Sequence, residues 1–188
     1  QILDECIQSI LGKAKILLIE NSDNKSFKLK YENKYSNLEV ILSGSNLGYG
    51  AGNNKGINLA KTRYVLISNP DVIYEIDFFS NLKTYIDANT DFSIIGPMYR
   101  SEDYASHGFF EDLKKENSNN DTAVNQNLIK THWIVGCTMF IDLNKFDNKN
   151  LFDENFFLFF EEFDLCRRVL NKGGKIFASK NLYVKHLG

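Results

Sequence analysis

Four short apolar runs constrain this chain more than any other feature: Ile16-Leu17-Leu18-Ile19, Leu38-Glu39-Val40-Ile41-Leu42, Tyr64-Val65-Leu66-Ile67 and Phe92-Ser93-Ile94-Ile95. Each has the length of a strand, and near-continuous apolar character suits strands covered on both faces. Helical patterns lie between them. Leu3, Cys6, Ile7, Ile10 and Leu11 recur at the spacing of one buried helix face, with Gly12 as a stop. Residues 53–61 carry Ile57, Leu59 and Ala60, and residues 75–88 carry Ile76, Phe79, Leu82, Tyr85 and Ile86. Strand and amphipathic helix thus alternate, which predicts an α/β fold with a mostly parallel central sheet flanked by helices.

The pattern changes after Gly96-Pro97, which close the fourth strand. Residues 101–130 are rich in Asn, Asp and Glu, and so long a polar stretch is expected to be a functional loop or a disordered one. Trp133 to Ile141 reads as a strand, Phe152 to Phe160 as an aromatic wall, and Glu161 to Asn171 as a helix. Gly173-Gly174 marks a turn, followed by short strands at Ile176-Phe177-Ala178 and Leu182-Tyr183-Val184. No repeat or linker interrupts the chain, so one domain is expected, in halves 1–100 and 101–188.

With 22 basic and 24 acidic residues the formal net charge is -2, which argues against a basic nucleic-acid face. No apolar stretch reaches the roughly 18 residues that span a bilayer. Cys6, Cys137 and Cys166 are scattered and odd in number, which disfavours a disulfide framework or a C-x-x-C metal site and fits a reducing, cytoplasmic setting. Without an initiator Met, Gln1 is not expected to be the native start.

In open α/β sheets ligands gather at the carboxyl ends of strands. There the chain places Glu20 to Asp23, a Gly-rich stretch from Gly44 to Gly56, and Asn69-Pro70-Asp71. The glycines fit neither G-x-G-x-x-G, since Lys55 stands at its last position, nor the P-loop, since no Gly-Lys-Ser/Thr occurs. They read as a phosphate-facing loop or as a flexible strand-to-helix turn. Asp71 suits a hard divalent cation or a helix cap. Glu161, Glu162 and Asp164 favour a helix dipole, or general-base chemistry if burial raises a pKa. Glu161 and Asp164 share a helix face and Glu162 points elsewhere. His186 gains meaning only if it meets Asp71 across the sheet; His107 and His132 read as ordinary surface or hydrogen-bonded residues.

In order along the chain come Asn46-Leu-Gly-Tyr-Gly-Ala-Gly-Asn-Asn54, Leu66-Ile-Ser-Asn-Pro-Asp-Val72, Trp133-Ile-Val-Gly-Cys-Thr-Met-Phe140, the block from Leu151 to Arg168, Gly173-Gly-Lys-Ile176, and Val184-Lys-His186. This series resembles family 2 glycosyltransferases of the GT-A (nucleotide-diphospho-sugar transferase) fold, in the rhamnosyltransferase-like subgroup that builds surface polysaccharides. The resemblance covers nearly the whole chain and is weakest over residues 101–130. It implies a donor-binding half at 1–100, an acceptor and catalytic half at 101–188, and partners that are a nucleotide-diphosphate sugar and a saccharide or lipid-linked acceptor, with peripheral association at the inner face of a membrane left open.

By that match Glu20 contacts the nucleoside, Asn46, Gly50 and Asn54 form the donor-side loop, and Asn69 and Asp71 form the metal motif. Trp133 and Gly136 shape the sugar and acceptor pocket. Glu162 is the catalytic base, within an acidic group that includes Glu161 and Asp164. Asp71 and His186 hold Mg²⁺ or Mn²⁺. Asn69 stands where an Asp would ligate more strongly, and Glu162 reaches one methylene further than the commoner Asp. The family's first strand is expected just before Gln1, so the fold would lack it here, as a fragment of a longer chain would. The reaction implied is a single displacement with inversion. The competing classes are a non-catalytic glycosyltransferase-like binding module, a sugar-phosphate nucleotidyltransferase, whose N-terminal signature is not seen, and a nicotinamide dehydrogenase, which the glycine spacing disfavours.

Overall fold

The computed structural model describes residues 1–99 and 125–187. In chain order the elements are α1 (Ile2–Ile10), β1 (Ile16–Glu20), α2 (Lys25–Lys34), β2 (Leu38–Leu42), α3 (Tyr49–Leu59), β3 (Tyr64–Ser68), β4 (Val72–Tyr74), α4 (Phe78–Asp87), β5 (Ile94–Tyr99), β6 (Leu128–Lys130), β7 (Thr138–Asp142), α5 (Glu161–Asn171) and β8 (Ile176–His186). The loop expected at 101–130 lies mostly outside the described residues, but its end forms β6.

The fold is α/β with helices against a mixed sheet. β1 and β2 form a parallel pair, and the larger sheet runs β3-β7-β5-β8-β4 with β6 also on β8. Among the described residues only β1–β2 and β5–β8 pair in parallel; β3–β7, β5–β7, β4–β8 and β6–β8 are antiparallel. The expectation of a mostly parallel sheet is therefore corrected. The apolar runs of the first half identify buried strands, but strand direction depends on the second half, where β7 inserts antiparallel between β3 and β5. Among the described residues β1 pairs with β2 alone and β3 with β7 alone.

Other differences have local causes. α3 begins at Tyr49 rather than residue 53, despite three glycines in its first turns. Glycine is a poor helix former in isolation, but here Gly50 and Gly56 permit close packing. A Cβ on Gly50 would lie 3.0 Å from Phe152 Cβ, and one on Gly56 would lie 3.3 Å from Ile19. α2 is capped by the Asn24 side chain, which accepts from Phe27 N at 3.0 Å, yet it buries only Tyr31 and so shows no apolar stripe. β5 passes through Gly96-Pro97 with a register shift between Gly96 and Met98, a bulge that accommodates proline's missing N–H. The two short strands expected near the C-terminus are one, β8. Its polar middle is satisfied inside the fold, with Ser179 Oγ 2.8 Å from Tyr85 Oη and 2.7 Å from Asn181 Oδ1.

Three apolar clusters hold these layers. One joins α3, α5, β7 and β8 around Leu151, Phe152 and Leu165. A second joins α1, α4 and the sheet around Phe78, Tyr85 and Phe140. The third closes α1 and α2 on β2. No helix among the described residues is long and apolar enough to cross a membrane.

Candidate active site

The carboxyl end of β3 opens into Asn69-Pro70-Asp71. The Asn69 amide donates to Cys137 O at 2.9 Å, which ties this turn to the one before β7. β4 then pairs with β8 so that Val72 faces His186, and Leu187 N donates to Asp71 O at 3.0 Å. This register brings His186 Nε2 to 3.3 Å from Asp71 Oδ1. The contact is not aligned as a hydrogen bond, and Asp71 Oδ1 is buried without a hydrogen-bond partner. The condition set on His186 by the sequence is met: the two side chains face each other, each partly open to solvent. A carboxylate oxygen with no donor beside an imidazole nitrogen fits a divalent cation. Among the described residues no cluster of three or more His, Cys, Asp or Glu stands ready to hold a metal ion.

At the end of β1, Glu20 Oε1 accepts from Ser22 Oγ at 2.5 Å. Next to it Asn21 organises the glycine loop. Its Nδ2 donates to Asn46 Oδ1 and to Gly48 O, both at 3.1 Å, and its Oδ1 accepts from Leu47 N at 3.0 Å. Asn46 Oδ1 also accepts from Gly48 N at 3.0 Å. Asn46 is exposed and Glu20 partly so, whereas Gly50 and Asn54 are buried. Asn54, only 1% exposed, bonds both backbone groups of Phe152 and also Glu154. Its side chain braces the interior by tying α3 to the segment at Phe152.

The acidic group opens α5. Phe159 and Phe160 enter the helix in left-handed conformation, φ 69° and 70°, a costly arrangement for bulky residues. Glu161 is 3% exposed and lies beneath Gly50, while Glu162 stands against Gly136, where a Cβ would come within 3.4 Å of Glu162 Cβ. Both Glu161 Oε2 and Glu162 Oε2 are buried without a hydrogen-bond partner. Burial first, and then the neighbouring Glu162, push the Glu161 carboxyl above its ordinary range. Asp164 is instead engaged: Arg168 Nε lies at 2.6 Å, and the same guanidinium donates to Leu151 O at 2.6 Å. Its place is in an ion pair that ties the start of the aromatic wall to α5.

Trp133 is half-buried with its indole edge-on to Phe163, ring centroids 6.3 Å apart. Gly136 is buried, and its carbonyl accepts a hydrogen bond from the Tyr49 hydroxyl. Burial, and after it the charges of Cys137, Glu161 and Glu162, push that hydroxyl well above its normal range, so it stays a donor. Asn21, Tyr49 and Arg168 were not singled out from sequence. Asn21 could have been, because it follows a strand exit; Tyr49 was hidden inside the glycine motif. A cleft of about 570 Å³ lined by Gly12, Lys15, Ser36 and Glu39 lies at the amino ends of β1 and β2 and includes none of these residues.

The model of the family described as Glycosyl transferase family 2 matches residues 1–152. The chain belongs to that family. It is 27% identical over 178 residues to the low-salt glycan biosynthesis hexosyltransferase Agl10 of Haloferax volcanii, covering 85% of this chain and 54% of that one. It is 24% identical over 189 residues to the rhamnosyltransferase WbbL of Escherichia coli K12, covering 86% and 68%. The chain thus spans about half the length of the first relative.

Solved structures agree on the GT-A fold. The mannosyltransferase PcManGT of Pyrobaculum calidifontis, in complex with GDP-Man and Mn²⁺, superposes with a TM-score of 0.70 at 10% identity, over 98% of this chain and 52% of that one. GalNAc-T7 with UDP, GalNAc and Mn²⁺ gives 0.67 at 15% identity, over 93% and 38%. The chain is a glycosyltransferase domain.

Proposed function

We propose that this domain transfers a sugar from a nucleotide-diphosphate donor to a hydroxyl of a saccharide or lipid-linked acceptor, with inversion, in surface-polysaccharide synthesis. The observation that carries the reading is the pair of unsatisfied carboxylates: Asp71 beside His186 at one strand exit, and Glu162 at the start of α5, linked through the Asn69–Cys137 hydrogen bond. Buried oxygens without donors are costly unless a ligand completes them.

Asp71 and His186 would hold Mg²⁺ or Mn²⁺, which when bound neutralises diphosphate charge and eases its departure. That structural neighbours were solved with Mn²⁺ and UDP or GDP-Man supports this assignment. Glu20, Asn46 and the glycine loop face the nucleotide side. Trp133, Gly136 and the exposed Phe159 and Phe160 rings border the acceptor side. Glu162 accepts the proton of the acceptor hydroxyl. The hydroxyl oxygen forms its bond to the anomeric carbon as the bond to the diphosphate breaks on the opposite face. Glu161 lies beside Glu162, buried beneath Gly50, and its burial favours the neutral carboxyl.

The test is nucleotide-diphosphate release and product formation with a panel of nucleotide sugars and acceptors in Mn²⁺, for the parent and Glu162→Gln. Turnover should fall by about 10²–10⁴-fold with donor affinity retained. Near-parental turnover in the variant removes Glu162 as the base.

A further inference from the structure

The stretch from Gly48 to Asn54 does more than form one wall of a loop. Its N-terminal end is held by Asn21, and several of its other contacts fall on the segment that leads into the acidic pair and on the turn at Gly136. Tyr49 N donates to Phe157 O at 2.9 Å. Gly48, at φ 81°, has no room for a Cβ, which would overlap that same carbonyl oxygen. Asn54 bonds Phe152 N at 3.0 Å and Phe152 O at 2.8 Å. The Tyr49 ring meets Phe152 edge-on at 5.9 Å, and its hydroxyl reaches across to Gly136 O. Gly136 is the backbone against which Glu162 Cβ stands. One side chain, Tyr49, therefore touches both the aromatic segment that leads into Glu161 and the turn that backs Glu162.

We infer that Tyr49 is a positioning residue: its hydroxyl fixes the Gly136 turn and so sets where Glu162 stands relative to the donor-side loop. The inference rests on the glycosyltransferase reading only for what Glu162 does. The position itself can be followed independently, because the chain has a single tryptophan, Trp133, three residues before Gly136 and packed on Phe163 of α5. The aromatic ring of Tyr49→Phe keeps the contact with Phe152 and removes only the donor. A buried carbonyl that loses its partner lowers the unfolding midpoint by a few degrees whatever its role. The discriminating readouts are taken on the folded protein.

The experiment compares parent and Tyr49→Phe at 25 °C by Trp133 emission and acrylamide quenching, and by transfer kinetics in Mn²⁺. The expected result is a Trp133 signal that shifts and becomes about twofold more quenchable, with kcat down by about tenfold, the equivalent of one hydrogen bond, and donor KM unchanged. A variant with parental Trp133 signal overturns the inference, whether or not its kcat falls. So does parental kcat in an active enzyme, or a chain that no longer folds, since the hydroxyl would then support the fold at large. A shifted Trp133 signal in a protein that shows no transfer upholds the positioning and defeats the glycosyltransferase reading instead.

Discussion

The side-chain amide of Asn54 closes a pair of hydrogen bonds on the backbone of Phe152, 98 residues further along the chain, accepting from its N–H at 3.0 Å and donating to its carbonyl at 2.8 Å. A helix of the first half thereby stands in for a strand, satisfying both backbone groups of a residue that has no ladder partner. The arrangement joins the donor-side loop to the segment that leads into the acidic pair.

Asn54→Ala leaves both Phe152 groups buried and unpaired. Each such group costs about 1–3 kcal/mol, so the variant should lose about 2–6 kcal/mol, read from urea unfolding. Asn54→Asp keeps an acceptor for Phe152 N–H but sets a carboxylate against Phe152 O and Glu154. It should be at least as unstable at neutral pH and recover on acidification. A loss under about 0.5 kcal/mol for Asn54→Ala, the scale of a surface change, would show that the pair contributes nothing.

Asp71 and His186 make a prediction about metal. Calorimetric binding of UDP, dTDP and GDP, each with and without Mn²⁺, should show one nucleotide bound in a metal-dependent way. Asp71→Ala should abolish that dependence, because it removes the orphaned Oδ1. His186→Ala should weaken it by roughly 10–100-fold, since an imidazole at the edge of the site adds to a carboxylate but does not replace it. Binding that is equal with and without Mn²⁺ in all three proteins would remove the metal from this site.

Much of this arrangement was legible in the sequence, and the parts that were not share a physical reason. Ile16 to Ile19 and Leu38 to Leu42 announced their strands because the first run is apolar throughout and the second is broken only by Glu39. Glu161 to Asn171 read as the helix that is α5, with its acidic residues at the start where the helix dipole favours them. Asp71 and His186 were recognisable as candidates, but their meeting depends on β4 pairing antiparallel with β8, and β4 is only three residues long. The bonds of Asn54 to Phe152 were not legible, because a polar residue in a glycine motif looks the same whether its partner is a ligand or a distant backbone. The partner of Asp164 was within reach of sequence reasoning: Arg168 lies one helical turn away, the ordinary spacing of an ion pair.

Phe160 carries a different expectation. Its φ of 70° is unfavourable for a side chain with a Cβ, and its ring is 69% exposed, so it contributes little packing. Phe160→Gly should relieve about 1 kcal/mol of backbone cost, less the extra freedom glycine gives the unfolded chain. A small net stabilisation in urea unfolding is expected, together with lower turnover, because the peptide that aims Glu161 and Glu162 becomes free to relax. Destabilisation by more than about 1 kcal/mol, beyond what a surface substitution gives, would show that the ring is held by contacts and that the conformation is not strained.

Glu161 ties burial to pH. Its carboxyl is raised above the ordinary 4.5, first by burial and then by Glu162. The folded protein therefore holds this proton more tightly than the unfolded chain. Below pH 4.5 both states are protonated and the stability contributed by the neutral carboxyl is fully present. As pH rises, the unfolded chain releases its proton first, and stability falls until the folded carboxyl also ionises. Glu161→Gln removes that loss, since an amide fills the same space with no proton to release. The difference in unfolding free energy, variant minus parent, should rise with pH from about 4.5 and level off once the folded carboxyl has ionised. Thermal unfolding of both proteins across pH 4 to 8 would show it. A pH-independent difference would mean that Glu161 titrates alike in the two states and that its burial costs the charged form nothing.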